Sequence, residues 1–207
     1  MPKGICKLQN PKLLIITGPQ GSGNHLFSKI LSKHPEVYGW QMKSYWEGHH
    51  EEPFSNYWRY PELLDQFQWQ KYKFIFTSIS CPYIKDKVPH IPNYKKFITE
   101  AKKFADVKVA IIGRDANILK HQQERVRGKS TIKYFIEGLE TLLEYNPVFV
   151  SQELYQLYGN YYLQGLSKQL DFPIQPQEIY EDANTKYIQV IEEQPLDQEV
   201  YNACQNS

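Results

Sequence analysis

The chain has little of what distinguishes membrane, secreted or disulfide-stabilised proteins. Its longest apolar runs, such as Leu13–Ile16 and Val109–Ile112, are far shorter than the roughly 18 residues of a membrane-spanning helix. The opening Met-Pro-Lys-Gly is not followed by the apolar core of a signal peptide, so we expect a cytoplasmic protein without a membrane span. There are only three cysteines, and because Cys6, Cys81 and Cys204 form no CxxC or Cys/His cluster, we expect free thiols and no metal site.

An excess of charge of one sign is also lacking. The 207 residues carry 24 Lys and Arg against 23 Asp and Glu, a net charge of +1, which argues against a nucleic-acid-binding protein. The hydrophobic share of 41% is that of a globular protein and excludes a disordered chain. The length predicts a single domain over residues 1–207. The sequence carries no signal for an oligomeric state.

What the sequence does contain is an alternation of strand and helix patterns. Short runs of apolar, β-branched or aromatic residues predict four buried strands, at Lys12–Thr17, Lys73–Ile79, Lys108–Ile112 and Pro147–Ser151. Helical periodicity predicts a helix from Asn24 to before His34, and others roughly over Asn93–Ala105, Asn117–Arg127, Ile132–Tyr145 and Leu154–Leu170. This order predicts the α/β class, as a three-layer sandwich with a central parallel sheet.

The site is expected at the carboxyl edge of that sheet, where open parallel sheets bind their ligands. The segments that should meet there are 18–25, 78–82, 113–117 and 151–153. Residues 38–70, rich in Trp and Tyr, are interpreted as an insertion over this edge, and the tail from about residue 192 is polar. The aromatic side chains of the insertion either line an acceptor pocket or pack in the core.

The segment Gly18-Pro-Gln-Gly-Ser-Gly23 has the glycine spacing of a phosphate loop (P-loop), directly after a strand and before a helix. Glycines allow the backbone to point several N–H groups at an anion, and the helix adds its positive amino-terminal dipole. The alternative is an ordinary tight turn. Triphosphate enzymes continue with Lys and Ser/Thr, whereas this chain has Asn24 and His25. The loop therefore favours a monophosphate-type donor, which needs no metal, over ATP.

Gly18–Leu31, followed by Lys33-His-Pro-Glu-Val37, resembles the opening of the sulfotransferases that use 3′-phosphoadenosine 5′-phosphosulfate (PAPS), in which the loop reads S-G-N-[TH]. The run Ile111-Ile-Gly-Arg-Asp115 resembles the family's strand end, whose arginine holds the 3′-phosphate of the donor. Phe149–Glu153 and Leu170–Ile174 resemble later parts of the family. The resemblance covers most of residues 12–174. It implies a P-loop, sulfotransferase-like fold and PAPS as donor, with no metal required. It also implies a small-molecule or carbohydrate acceptor that offers a hydroxyl or an amine.

The resemblance also implies a set of donor-binding residues: Gly18, Gln20, Gly21, Ser22, Gly23, Asn24, His25, Arg114 and Gln122. Gln122 stands where the family has a serine eight residues after the arginine. An arginine at a buried strand end favours an anion held by two hydrogen bonds, and the alternative is a salt bridge to Asp115 or Glu153. The basic run 125–129 is a second candidate for the 3′-phosphate, or a solvated helix end.

The chain departs from the family at its catalytic positions. The loop Lys or Arg of the family falls on Gly21, and its general base falls on Ser80 or Ser44. We therefore expect catalytic groups among the neighbouring ionisable residues, with a solvated loop as the alternative: Lys43, Glu47, His49, His50 and His25.

The leading hypothesis from the sequence is a PAPS-dependent, sulfotransferase-like enzyme. One alternative is a nucleotide- or anion-binding protein of the same fold that has lost catalysis. The other is an atypical small-molecule kinase, which the missing Lys and Ser/Thr disfavour.

Overall fold

The computed structural model describes residues 10–42, 51–85 and 88–181. The strands are β1 Lys12–Pro19, β2 Val37–Tyr38, β3 Phe74–Cys81, β4 Tyr83–Lys85, β5 Val88–His90, β6 Asp106–Gly113 and β7 Val148–Ser151. The helices are α1 Asn24–Ser32, α2 Ser55–Arg59, α3 Tyr94–Ala101, α4 Ala116–Arg127, α5 Ile132–Leu143 and α6 Gln152–Leu170. Two 3-10 helices, Pro61–Gln66 and Trp69–Lys71, follow α2. The four predicted strands and five predicted helices are all present.

Five of the strands form one parallel sheet in the order β2-β3-β1-β6-β7. The predicted parallel α/β sheet is therefore confirmed. Its register places the carboxyl ends side by side, since Gly18 pairs with Ser80 of β3 and Gly113 pairs with Ser151 of β7. The remaining two strands, β4 and β5, form an antiparallel hairpin immediately after β3.

Helices cover both faces of the sheet, as in a three-layer α/β sandwich. Successive residues of a strand point to opposite faces, and accordingly Leu13 and Ile15 belong to one core while Leu14 and Ile16 belong to the other. The first core packs against α3, α5 and the insertion. The second packs against α1 and α6.

The aromatic residues of the insertion contribute mainly to the first core. Phe54, Trp58 and Trp69 are buried there, and the ring of Trp58 stacks on Phe97 with centroids 3.7 Å apart. Trp40 is buried in the second core. Of the two interpretations of these rings, core packing holds for Phe54 and Trp40, whereas Trp58 also borders a cleft described below.

Within residues 10–42, 51–85 and 88–181, no helix has the length and apolarity needed to cross a membrane. Cys81 is buried as a free thiol, and this burial raises its pKa to about 11. Cys6, Cys204 and the predicted polar tail lie outside the described residues.

Candidate functional site

The carboxyl edge of the sheet has its topological switch point between β1 and β6. The chain leaves β1 through α1 towards β2, on the β3 side, and leaves β6 through α4 and α5 towards β7, on the opposite side. Neighbouring strands whose connections diverge in this way leave a crevice between them, which is where sheets of this type bind ligands. The glycine loop after β1 and Arg114 after β6 border this crevice.

The loop has a backbone conformation that requires glycine. Gly21 has φ +91° and Gly23 has φ +117°, both in the left-handed region that other residues rarely adopt. The turn is closed by a hydrogen bond from Ser22 N to Pro19 O (3.0 Å), and α1 follows directly. The loop therefore has the strand–turn–helix context of an anion-binding loop.

Arg114 joins the loop to the end of β6. Its Nη1 donates to Gly21 O at 2.7 Å and also to Gln122 Oε1. Three residues predicted to bind the donor, Gly21, Arg114 and Gln122, therefore meet at the switch point. Asp115, one of the alternative partners for the arginine, caps α4 by accepting from Asn117 N at 2.9 Å.

Glutamine side chains cover the two loop glycines. A Cβ atom added to Gly21 would lie 2.6 Å from Gln122 Oε1, and one added to Gly23 would lie 2.9 Å from Gln152 Oε1. An anion that approached the loop amides from this side would have to displace these side chains or accept hydrogen bonds from their amide NH₂ groups. The space over the loop is thus occupied by α4 and α6.

Gln20, at the start of the loop, is held by a buried network. Gln123 Nε2 donates to Gln20 O at 2.7 Å, and Thr131 Oγ1 donates to Gln20 Oε1 at 3.1 Å. The Oε1 of the same Gln123 accepts from Thr131 N at 2.7 Å. Sequence reasoning missed Gln123, although it lies four residues after Leu119 and thus shares the buried face of α4.

A cleft of about 410 Å³ opens on the other side of β1, beside β3. Its walls come from the loop, the insertion, the end of β3, the β4–β5 hairpin and the end of α4. The lining residues are Gln20, Glu52, Ser55, Trp58, Arg59, Ser78, Ile79, Ser80, Pro82, Tyr83, Ile84 and Arg127. Ser80, which the resemblance aligns with the general base of the sulfotransferases, lies in this lining.

Glu52 is the acidic group in the described lining, and it is only 2% exposed. Phe54 N donates to its Oε2 at 2.8 Å, Ser78 N donates to its Oε1 at 3.3 Å, and the Thr77 hydroxyl also bonds to it. These hydrogen bonds favour the carboxylate, but burial outweighs them and raises the pKa of Glu52 to about 8. A carboxyl group that titrates near neutral pH in a cleft suits proton transfer.

Trp58 fixes the group that supports Glu52. Its Nε1 donates to Thr77 Oγ1 at 2.9 Å, which leaves the Thr77 hydroxyl proton for the carboxyl group. Sequence reasoning did not select Glu52, although it ends the acidic and His-rich run from Lys43. The richness of that run in Glu and His indicated candidate acids and bases, but it could not distinguish a buried carboxylate from an exposed one.

Asn24 connects the loop with the cleft. Ser22 Oγ donates to Asn24 Oδ1 at 3.1 Å, and Asn24 Nδ2 donates to Ser78 Oγ at 3.5 Å, a long hydrogen bond. Ser78 in turn donates its backbone N–H to Glu52. Ser22 and Asn24 are both buried, so the polar groups after the second glycine link the two halves of the edge.

His25 lies at the first turn of α1, next to the loop. Its ring packs edge-on against Trp40, with centroids 4.9 Å apart. Desolvation of the ring, and then the charge of Lys29, lower the pKa of His25 and favour the neutral imidazole. The other predicted catalytic residues, Lys43, Glu47, His49 and His50, lie outside the described residues.

Comparison with known proteins adds no family to this geometry. No family model matches the chain, and no curated protein or solved structure matches it either. A function for the loop, Arg114 and Glu52 can therefore be inferred only from their chemistry and from the resemblance of the loop to that of the sulfotransferases.

Proposed function

We propose that this protein transfers a sulfuryl group from PAPS to a hydroxyl or amine acceptor. The observation that supports the proposal is the junction at the end of β1. There a glycine loop in contact with Arg114 borders, through Gln20, a cleft that contains a buried acid. Sulfuryl transfer needs both parts, because the leaving phosphate gains negative charge while the acceptor loses a proton.

The loop is suited to the phosphate end of such a donor. Gly21 and Gly23 have no side chain and adopt positive φ, a conformation in which the backbone N–H groups of a turn can point at an anion. Arg114 supplies a permanent cation at the same place, and Gln122 supplies an amide. When bound, PAPS would supply an activated sulfuryl group, a chemistry that calls for no magnesium ligand. Arg114 would supply the positive charge that the loop Lys or Arg supplies in the sulfotransferases.

Glu52 is suited to the acceptor. Its two oxygens are fixed by Phe54 N and Ser78 N, so an acceptor hydroxyl in the cleft meets a carboxyl group that is already oriented. A pKa of about 8 leaves an ionised fraction at neutral pH and makes that fraction a stronger base than an exposed glutamate. Glu52 would accept the proton that the acceptor loses.

The first experiment measures binding of adenosine 3′,5′-bisphosphate and of ATP with Mg²⁺ to the purified protein by calorimetry. We expect the bisphosphate to bind more tightly. Arg114→Ala should weaken it by roughly 1.5–3 kcal/mol, the range for a hydrogen bond to a charged group. Arg114→Lys keeps the charge but loses the planar fork, and Lys120→Ala removes an exposed cation of α4 as a matched control.

Two results would contradict the donor assignment: tighter binding of ATP with Mg²⁺, or unchanged bisphosphate affinity in an Arg114→Ala variant that melts like the wild type. The first would favour an atypical kinase. The second experiment incubates the protein with PAPS and a panel of phenols, sugars and amines, and detects sulfated product by mass spectrometry.

A second candidate, an anion-binding protein without catalysis, has one observation in its favour. Gln122 and Gln152 lie over the loop glycines, and Arg114 already bonds to a loop carbonyl. This candidate predicts bisphosphate binding without any sulfated product, so the same two experiments separate it from the enzyme.

A further inference from the structure

Two arginines from separate elements line the cleft. Arg59 is the last residue of α2, and Arg127 is the last residue of α4. Glu52 is the single carboxyl group among the described lining residues, and its raised pKa keeps it mainly protonated at neutral pH. The described lining therefore contributes two arginine side chains and one carboxyl group that is mainly neutral. A cleft lined by one sign of charge concentrates the potential and attracts ligands of the opposite sign.

The use of arginine in this chain gives an independent indication. The sequence contains twenty lysines but only four arginines, at positions 59, 114, 125 and 127. Three of the four lie at the carboxyl edge of the sheet, one beside the loop and two in the cleft. Where a solvated positive charge suffices, this chain generally uses lysine. Arginine differs from lysine in its planar fork, which binds an oxyanion through two parallel hydrogen bonds.

The position of these residues at helix ends does not by itself explain the choice. A cation at a helix carboxyl terminus is stabilised by the helix dipole, but lysine provides that as well as arginine does. The helix that ends at Arg59 has five residues, so its dipole is small. Arg59 and Arg127 both line the cleft, and this shared position accounts for the choice of arginine.

We propose that the cleft binds an acceptor that itself carries an oxyanion, namely a carboxylate, sulfate ester or phosphate ester, held by Arg59 and Arg127. This inference rests on the proposed function, whose acceptor it specifies. A volume of about 410 Å³ suits one sugar ring or one substituted phenol. The hydroxyls of Ser55, Ser78 and Ser80 line the same space and can bond to the acceptor's neutral hydroxyl groups.

The test measures acceptor binding alone, with neither donor nor turnover. Calorimetric titration of the full chain compares acidic probes with neutral counterparts of the same shape: glucuronate, glucose 6-sulfate and glucose 6-phosphate with glucose, and 4-hydroxybenzoate with 4-hydroxybenzamide. We expect at least one acidic probe in each series to bind about ten-fold more tightly or better, as a charge-assisted hydrogen bond allows. The glucose derivatives show which oxyanion is preferred.

Variants locate the effect. Arg59→Gln and Arg127→Gln should each remove most of the preference for acidic probes. Lys120→Gln, which removes an exposed charge from the same helix as Arg127, should leave the preference in place. Thermal unfolding of each variant shows that the fold is retained.

Several outcomes would overturn the inference. These are equal binding of acidic and neutral probes, no binding of the acidic probes, an equal loss in Lys120→Gln and Arg127→Gln, or displacement of the acidic probes by adenosine 3′,5′-bisphosphate. The last would assign the arginines to the donor. Bisphosphate binding without an acidic preference would overturn this inference and leave the proposed function standing. An acidic preference without bisphosphate binding would instead contradict the proposed function.

Discussion

The two sides of β1 are built differently at the carboxyl edge. Towards β6, the loop is closed by the chain's own side chains, with Arg114 bonded to Gly21 and glutamines over both glycines. Towards β3, the same edge opens into a cleft of about 410 Å³ whose acid, Glu52, is buried and held by backbone donors. One side is covered by the chain's own polar side chains, and the other presents space beside a carboxyl group of raised pKa.

The two sides are therefore expected to differ in how much free energy a bound ligand gains. A ligand on the β6 side exchanges hydrogen bonds that already exist, so its net gain is the difference between two sets of partners. A ligand on the β3 side enters a formed cavity and meets a group whose orientation is already fixed. We therefore expect variants on the β3 side to change acceptor binding or reaction rates, and those on the β6 side to change donor binding or stability.

The largest expected effect is on the β3 side. Glu52→Gln removes the proton acceptor, and we expect the rate of sulfated product formation to fall by roughly 10²–10⁴-fold, the usual contribution of a general base. Bisphosphate binding should stay within about two-fold, because Glu52 lies outside the loop. The rate is measured with PAPS and the best acceptor of the panel, and binding is measured by calorimetry.

Glu51→Gln is the matched control, because it makes the same change at the neighbouring exposed residue. In the wild type, the rate should rise with pH and level off near the pKa of Glu52, about 8, since the base must be ionised. A Glu52→Gln variant with the wild-type rate and pH profile would move the base to the run from Lys43 to His50.

The sequence predicted the regular parts of this molecule well and the irregular parts poorly. The sequence predicted strand β1 because its residues from Leu13 to Ile16 are all apolar, and it predicted α1 because its apolar residues recur on one helical face. Strand β2 has two residues, too few for any pattern. The loop was readable because its glycines have a fixed spacing that the fold needs.

Glu52 shows why other residues of the site could not be predicted from the sequence. It lies on irregular chain just before α2, where no periodicity distinguishes a buried side chain from an exposed one. Its burial depends on Ser78 and Thr77, which are distant in sequence and reach it only after the sheet has formed. In the same way, Arg114 could be placed at a strand end, but its bond to Gly21 could not be derived from spacing.

The buried acid should also affect stability, through the pH dependence of unfolding. Glu52 has an ordinary pKa of 4.5 when unfolded and about 8 when folded, so the folded state binds the extra proton between these values. Its contribution to the free energy of unfolding is therefore complete below about pH 4.5 and falls as pH rises to about 8, by roughly 1.4 kcal/mol per pH unit at most. Above that pH the loss levels off.

Urea unfolding at intervals from about pH 5 to about pH 9 measures this slope. The difference in unfolding free energy between wild type and Glu52→Gln should change over that range, whereas the difference between wild type and Glu51→Gln should stay flat. Because each difference is taken at the same pH, titration of His25 and other groups cancels. Parallel curves for wild type and Glu52→Gln would mean that Glu52 is already ionised in the folded protein at neutral pH.

The smallest expected effect tests how tightly the β6 side is closed. A Cβ on Gly18 would lie 2.5 Å from the backbone oxygen of Ile112, whereas a Cβ on Gly113 has Val150 O as its nearest neighbour, at 3.8 Å. Neither residue has positive φ, so the two alanine variants differ mainly in the space available.

Gly18→Ala should lower the free energy of unfolding by about 1–3 kcal/mol, the usual cost of overpacking, because a backbone atom cannot rotate away. Gly113→Ala should stay within about 1 kcal/mol of the wild type, since alanine there also restricts the unfolded chain. Chemical denaturation measures both, and equal values would mean that β1 and β6 can separate at this edge, so that the contrast between its two sides would no longer hold.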